Sequence, residues 1–64
     1  MNDSLEEIRK LLREVFTTPA AVETWLDTPD RRFAGRTPRE ELSTPGGAAR
    51  VRALVLAAIH GIPP

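Results

Sequence analysis

His60 is the only histidine in this 64-residue chain, and there is no cysteine. A Cys–His nucleophile pair cannot form, and a structural zinc site lacks its usual ligands. Glu40 and Glu41 are neighbouring carboxylates, but adjacent residues on a helix point about 100° apart and do not converge on one reacting atom. Negative charge near the positive end of a helix accounts for both. Gly46-Gly47 is followed by no lysine and lacks the spacing of a phosphate loop. His60 falls in a last helical turn, where the helix dipole favours a cation. The chain thus holds no candidate catalytic residue, metal ligand or cofactor site. Its chemistry is that of a binding protein and not of an enzyme.

The elements that carry these residues are punctuated by Thr-Pro, which occurs at Thr18-Pro19, Thr28-Pro29, Thr37-Pro38 and Thr44-Pro45. A threonine hydroxyl accepts from an orphan backbone N–H of the first helical turn, and proline at the next position forfeits only an N–H that had no partner. Each pair reads as a helix start. A first helix begins at Ser4, where Ser4 and Glu7 have capping-box spacing. Leu5, Ile8, Leu11, Leu12, Val15 and Phe16 fill one stripe of it. A second helix of about two turns carries Val22, Trp25 and Leu26. Thr28-Pro29 starts a short element bearing Phe33 and closed by Gly35. Thr37-Pro38 starts a fourth, with Glu40 completing a second capping box and Leu42 as its apolar anchor. Thr44-Pro45 starts the longest helix, which runs to Ile59 or His60 with Gly61 just past its end and Pro63-Pro64 unable to continue it. Gly46 and Gly47 weaken its first turn by roughly 1 kcal/mol each relative to alanine, which points to another backbone passing close. No strand pattern is present. The predicted fold is all-α, a small bundle of four to five short helices with a longer C-terminal helix. Residues 1–18 form the N-terminal amphipathic helix and residues 19–64 the remaining helical domain.

Composition is that of a soluble globular domain, with 41% hydrophobic and 28% charged residues. A chain this short buries only about 60% of the surface it exposes when unfolded, so modest stability is expected. Nine basic and nine acidic residues cancel. Proteins that hold nucleic acid through phosphates usually carry a basic excess, so neutrality argues against that role for this chain alone. No signal peptide is visible, and the apolar stretch from Ala53 to Ile59 is too short for a membrane span of about 20 residues. A cytoplasmic protein is expected.

Projected at about 100° per residue, the C-terminal helix has two apolar faces. Ala48, Val51, Leu54, Val55, Ala58 and Ile59 share one side. Ala49, Ala53, Leu56, Ala57 and His60 cluster on the other, with Arg50 and Arg52 on opposite borders. So small a domain has few elements to wrap a helix completely. One face packs into the core; the other is either covered by the first helix or free to meet a partner.

The ordered set Trp25-Leu26 with Thr28-Pro29, Gly35-Arg36-Thr37-Pro38 with Leu42, Gly47-Ala48 with Val51, and Gly61 resembles the toxin-binding domain of the Xre/MbcA/ParS antitoxin family, from about Ala21 to Gly61. The resemblance implies a bacterial toxin–antitoxin role. The partner it implies is a RES-domain toxin, which consumes NAD or transfers ADP-ribose from it. The antitoxin covers the toxin's active-site entrance, partly with its C-terminal portion. It also implies structural roles for Trp25, Gly35, Thr37, Pro38 and Leu42. The expected partner surface is Arg50, Ala53, Leu56, Ala57, His60 and Ile62, with Arg36 and Arg39 at its rim. Family members usually carry a helix-turn-helix domain ahead of this one. The twenty or so residues before the matching segment make one helix, so autorepression through DNA is not expected here.

Two other readings belong to different classes. A small DNA-binding or transcription-related domain needs several basic residues on one helix face, and Arg50 and Arg52 are about 200° apart. A self-associating domain would form a homodimer through the second face of the last helix.

Overall fold

The computed structural model describes residues 3–61, with the side chain of Asp3 outside the description. Four α-helices and one short 3₁₀ turn follow one another: α1 (Asp3–Leu12), α2 (Pro19–Leu26), the 3₁₀ turn (Arg31–Phe33), α3 (Pro38–Glu41) and α4 (Gly47–His60). Among the described residues there is no strand. The fold is the all-α small bundle that the helical periodicity demands.

Among the described residues seven side chains make the core: Ile8 and Leu12 from α1, Val22 and Leu26 from α2, Phe33 from the 3₁₀ turn, and Val51 and Val55 from α4. Each contributes about 1.5–3 kcal/mol by leaving water. The α1 and α4 helices pack on one another, and α3 bridges α2 to α4. Ile8 and Leu12 thus complete the same core as α2 and α4. Trp25, Leu42, Leu54 and Ile59 flank it, half-buried.

Two Thr-Pro starts form as the sequence indicates. Thr18 Oγ1 accepts from the Ala21 N–H at 3.2 Å and opens α2. Thr37 opens α3 with a full capping box: its hydroxyl accepts from the Glu40 N–H at 3.0 Å, and the Glu40 carboxylate accepts from the Thr37 N–H at 2.8 Å.

The other two do not. Thr28 Oγ1 donates to the Thr24 carbonyl at 2.6 Å, closing α2 instead of opening the next element. It lies four residues beyond an orphan carbonyl of the last turn and reaches it readily. Asp30 caps the 3₁₀ turn in its place, accepting from the Arg32 N–H at 2.8 Å. Thr44 Oγ1 likewise donates backward, to the Glu41 carbonyl at 2.8 Å, and α4 starts at Gly47 after Gly46. Gly46 has φ +73°, a left-handed value that glycine adopts without penalty.

Three further expectations are corrected. Ser4 lies inside α1 and not ahead of it, and Glu7 turns to Arg52 of α4 at 3.3 Å, so no Ser4–Glu7 box forms. The α1 helix stops at Leu12, where the N–H groups of Glu14 and Val15 shorten to i−3 acceptors. Extended Thr18, required before proline, draws the chain out of the helix. Val15 consequently faces solvent at 43% exposure, while Phe16 stays against the core. Finally, the 3₁₀ turn is ended by Ala34 in the left-handed region at φ +57°, with Gly35 following at +84°. Among the later residues, α4 runs to His60 and Gly61 caps it through the Ala57 and Ala58 carbonyls, as the Gly-Pro punctuation requires. Pro63-Pro64 lies outside the described residues.

Candidate functional site

The outer face of α4 is only partly covered by the other described residues. Val51 and Val55 turn inward and are buried. On the opposite side, Ala49, Ala53 and His60 are exposed, and Leu56 and Ala57 are half-buried. The α1 helix packs against α4, yet it leaves these small side chains open. No charged group interrupts the row from Ala53 to Ala57, so its surface is apolar and low in relief.

Next to this face lies a cleft of about 240 Å³, walled by Phe16, Trp25, Leu54, Ala57 and Ala58, with exposed Val15 on its rim. Ala57 belongs to both surfaces. Val15 and Phe16, in the segment after α1, line the cleft from one side, Leu54, Ala57 and Ala58 of α4 and Trp25 of α2 from the others. Sequence reasoning missed it, since the helical stripe placed Val15 in the core.

The other face of the site is ionic. Glu41 is 1% exposed, and both its oxygens are engaged. Arg36 donates through Nε to Oε1 at 2.7 Å, and Arg50 through Nε to Oε2 at 2.6 Å. Arg50 also donates through Nη2 to Thr44 Oγ1 at 2.9 Å and to the Pro45 carbonyl at 3.0 Å. Arg50, foremost, and then Arg36 hold the Glu41 carboxyl below the ordinary glutamate range, against the opposing effect of burial. The position of Arg36 is set by the corner before it. The Asp30 N–H donates to the Arg36 carbonyl and the Gly35 N–H to the Asp30 carbonyl, each at 3.1 Å.

Arg39 is committed elsewhere. It donates to Asp27 at 2.7 Å and to Glu23 at 2.9 Å. Arg9 holds the same Glu23 at 3.0 Å from α1. These two arginines, Arg9 first, depress the Glu23 pKa to about 2. The cluster ties α1, α2 and α3 together across the surface.

The structure therefore groups Ala53, Leu56, Ala57 and His60 on one face, places Arg50 at its border, and brings Arg36 to Arg50 through Glu41. Arg39 is on a separate cluster with α2. Ile62 lies outside the described residues. Neither Glu41 nor Glu23 was legible as a site residue in the sequence, where Glu41 read only as a charge favoured at a helix start. Among the described residues no group of three or more acidic or histidine side chains gathers as a metal ion requires. No described helix is long and apolar enough to cross a membrane.

Residues 11–61 match the family described as the antitoxin Xre/MbcA/ParS C-terminal toxin-binding domain. The match starts within α1 and ends at the glycine that caps α4. No curated protein and no solved structure matches the chain.

Proposed function

We infer that this chain, which belongs to the Xre/MbcA/ParS antitoxin C-terminal toxin-binding family, neutralises a RES-type toxin by laying the outer face of α4 over the entrance to the toxin's active site. The toxin consumes NAD or transfers ADP-ribose from it; the antitoxin contributes a surface and no chemistry. The observation that carries this reading is the uncovered apolar face of α4, with Ala53 and His60 exposed and Leu56 and Ala57 half-open. A helix apolar on both sides normally has both sides covered. Here the described residues cover one, and a toxin is the partner that supplies the cover for the other. Arg50, Ala53, Leu56, Ala57, His60 and Ile62 form the proposed contact, with Arg36 and Arg39 at the rim, where arginine is enriched in interfaces.

The test is NAD consumption by a RES-type toxin encoded beside this chain, measured with and without it. Stoichiometric inhibition is expected. Leu56→Glu abolishes it while the variant melts as the parent does. Inhibition retained in Leu56→Glu, or none by the parent chain, overturns the reading. Sedimentation of the isolated chain gives a monomer if the face awaits a toxin, and a dimer if a second copy covers it. A nucleic-acid-binding role is disfavoured because Arg52 is paired with Glu7 and Arg50 stands about 200° from it around α4, so the helix presents no basic face.

A further inference from the structure

Glu41 presents a physical puzzle. A carboxylate buried to 1% exposure beneath two arginines is not what stability alone selects, because apolar replacements of buried ion pairs are often neutral or stabilising. What the arrangement does achieve is to hold two guanidinium groups in place. Each is still about half open, Arg36 at 44% and Arg50 at 49% exposure. Arg36 places both Nε and Nη2 on Oε1. Arg50 is fixed by Glu41, Thr44 and the Pro45 carbonyl. Its Nη1 lies 3.0 Å from where a Cβ on Gly46 would stand, so the fork rests on the bare turn. The Nη1 groups of both arginines have no hydrogen-bond partner among the described residues. Two cations on one anion leave a net positive charge at the N-terminal end of α4.

The charge around it has the same sign. Residues 31–64 carry six arginines against two glutamates, and residues 1–30 carry three basic against seven acidic residues. A neutral chain is thus polarised, and α4 itself bears arginines and no acid. A partner seated on α4 meets an apolar strip bounded by fixed cations.

We propose that the Arg36–Glu41–Arg50 cluster is a docking point for a carboxylate of the toxin. It rests on the reading of α4 as the toxin-binding face and adds the chemistry of what faces it: an aspartate or glutamate beside an apolar patch. A guanidinium fork already immobilised loses little freedom on accepting that carboxylate, and the charged hydrogen bonds it forms are of the strong class.

The experiment titrates the RES-type toxin's NAD consumption with the parent chain, Arg36→Gln, Arg36→Lys and Leu56→Glu, at low and high salt. Arg36→Gln leaves Arg50 to neutralise Glu41, so it folds, and its inhibition weakens about tenfold or more. Arg36→Lys keeps the charge without the fork and recovers only part of the loss. Parent affinity falls with salt more steeply than that of Arg36→Gln. Should Arg36→Gln fail to fold, the triple variant Arg36→Leu, Glu41→Met, Arg50→Leu orphans no charge and carries the same expected loss. Inhibition by Arg36→Gln equal to the parent's, with equal salt dependence, overturns the docking point. The α4 reading then still stands on the parent's inhibition and the Leu56→Glu defect. No inhibition by the parent overturns both.

Discussion

Gly47→Ala separates local propensity from tertiary packing more sharply than any other change in this chain. Position 47 is the first residue of α4, and alanine in a helix is favoured over glycine by about 0.8–1 kcal/mol, so a reading of the helix alone calls the change stabilising. The fold says the opposite. A Cβ at Gly47 stands 1.6 Å from the Glu41 carbonyl oxygen and 2.6 Å from Thr44 Oγ1. Raising that oxygen contact to the 3.0 Å that Cβ atoms tolerate requires the two backbones to part by about 1.4 Å. The carbonyl cannot swing aside freely, because it accepts from Thr44 N–H at 3.0 Å and Thr44 Oγ1 at 2.8 Å. Overpacking costs about 1–3 kcal/mol, and a lost hydrogen bond adds about 1. Set against the propensity gain, the net is a destabilisation of about 1–3 kcal/mol. In a domain of this size each kcal/mol moves Tm by about 4–8 °C. Thermal denaturation followed by far-UV circular dichroism reads the shift. Gly35→Ala isolates the other cause of a glycine requirement: nothing lies within 4 Å of its Cβ, and its φ of +84° alone costs about 1–2 kcal/mol. A Gly47→Ala protein melting at or above the parent temperature would refute the close approach of α3 to α4.

Other expected outcomes follow from single features. Leu26→Ala, at a side chain with 0% exposure, loses about 2–5 kcal/mol and leaves little folded protein at ambient temperature, as chemical denaturation will register. Asp30→Ala removes the cap of the 3₁₀ turn and costs about 1 kcal/mol, whereas Thr28→Ala lowers stability through the end of α2; amide hydrogen exchange distinguishes them by which segment opens. Glu23 has a folded pKa of about 2 against an ordinary 4.5. A depressed carboxylate contributes stability that is present above 4.5 and is lost as pH falls towards 2. Glu23→Gln therefore loses less melting temperature than the parent across that window, the depressed Asp30 and Glu41 still contributing theirs; an unchanged acid profile counts against the Arg9–Glu23–Arg39 cluster.

The helices were legible because their signals are local. The stripe of Ile8 and Leu12, the Val51–Val55 pair, the caps at Thr18 and Thr37 and the glycine after His60 each act within about one helical turn. The apolar excess on α4 was legible too, since it needs only the helical period. Thr28 and Thr44 were misread as starts because Thr-Pro is ambiguous by itself. The hydroxyl can serve the helix ahead or the one behind, and the nearer orphan group decides. Val15 was misread because a periodic stripe does not announce where hydrogen bonding shifts to i−3.

The chain's sequence alone determined an all-helical fold, the face of α4 that enters the core and the family of toxin-binding domains to which the chain belongs. Tertiary structure decided which charges meet. Glu41 reaches Arg50 nine residues on, and Glu23 reaches Arg9 and Arg39 fourteen and sixteen residues away. Those pairings depend on the directions in which four helices leave their corners. No residue type records that direction, because an arginine or a glutamate is equally at home in water until the packed core brings its partner within reach.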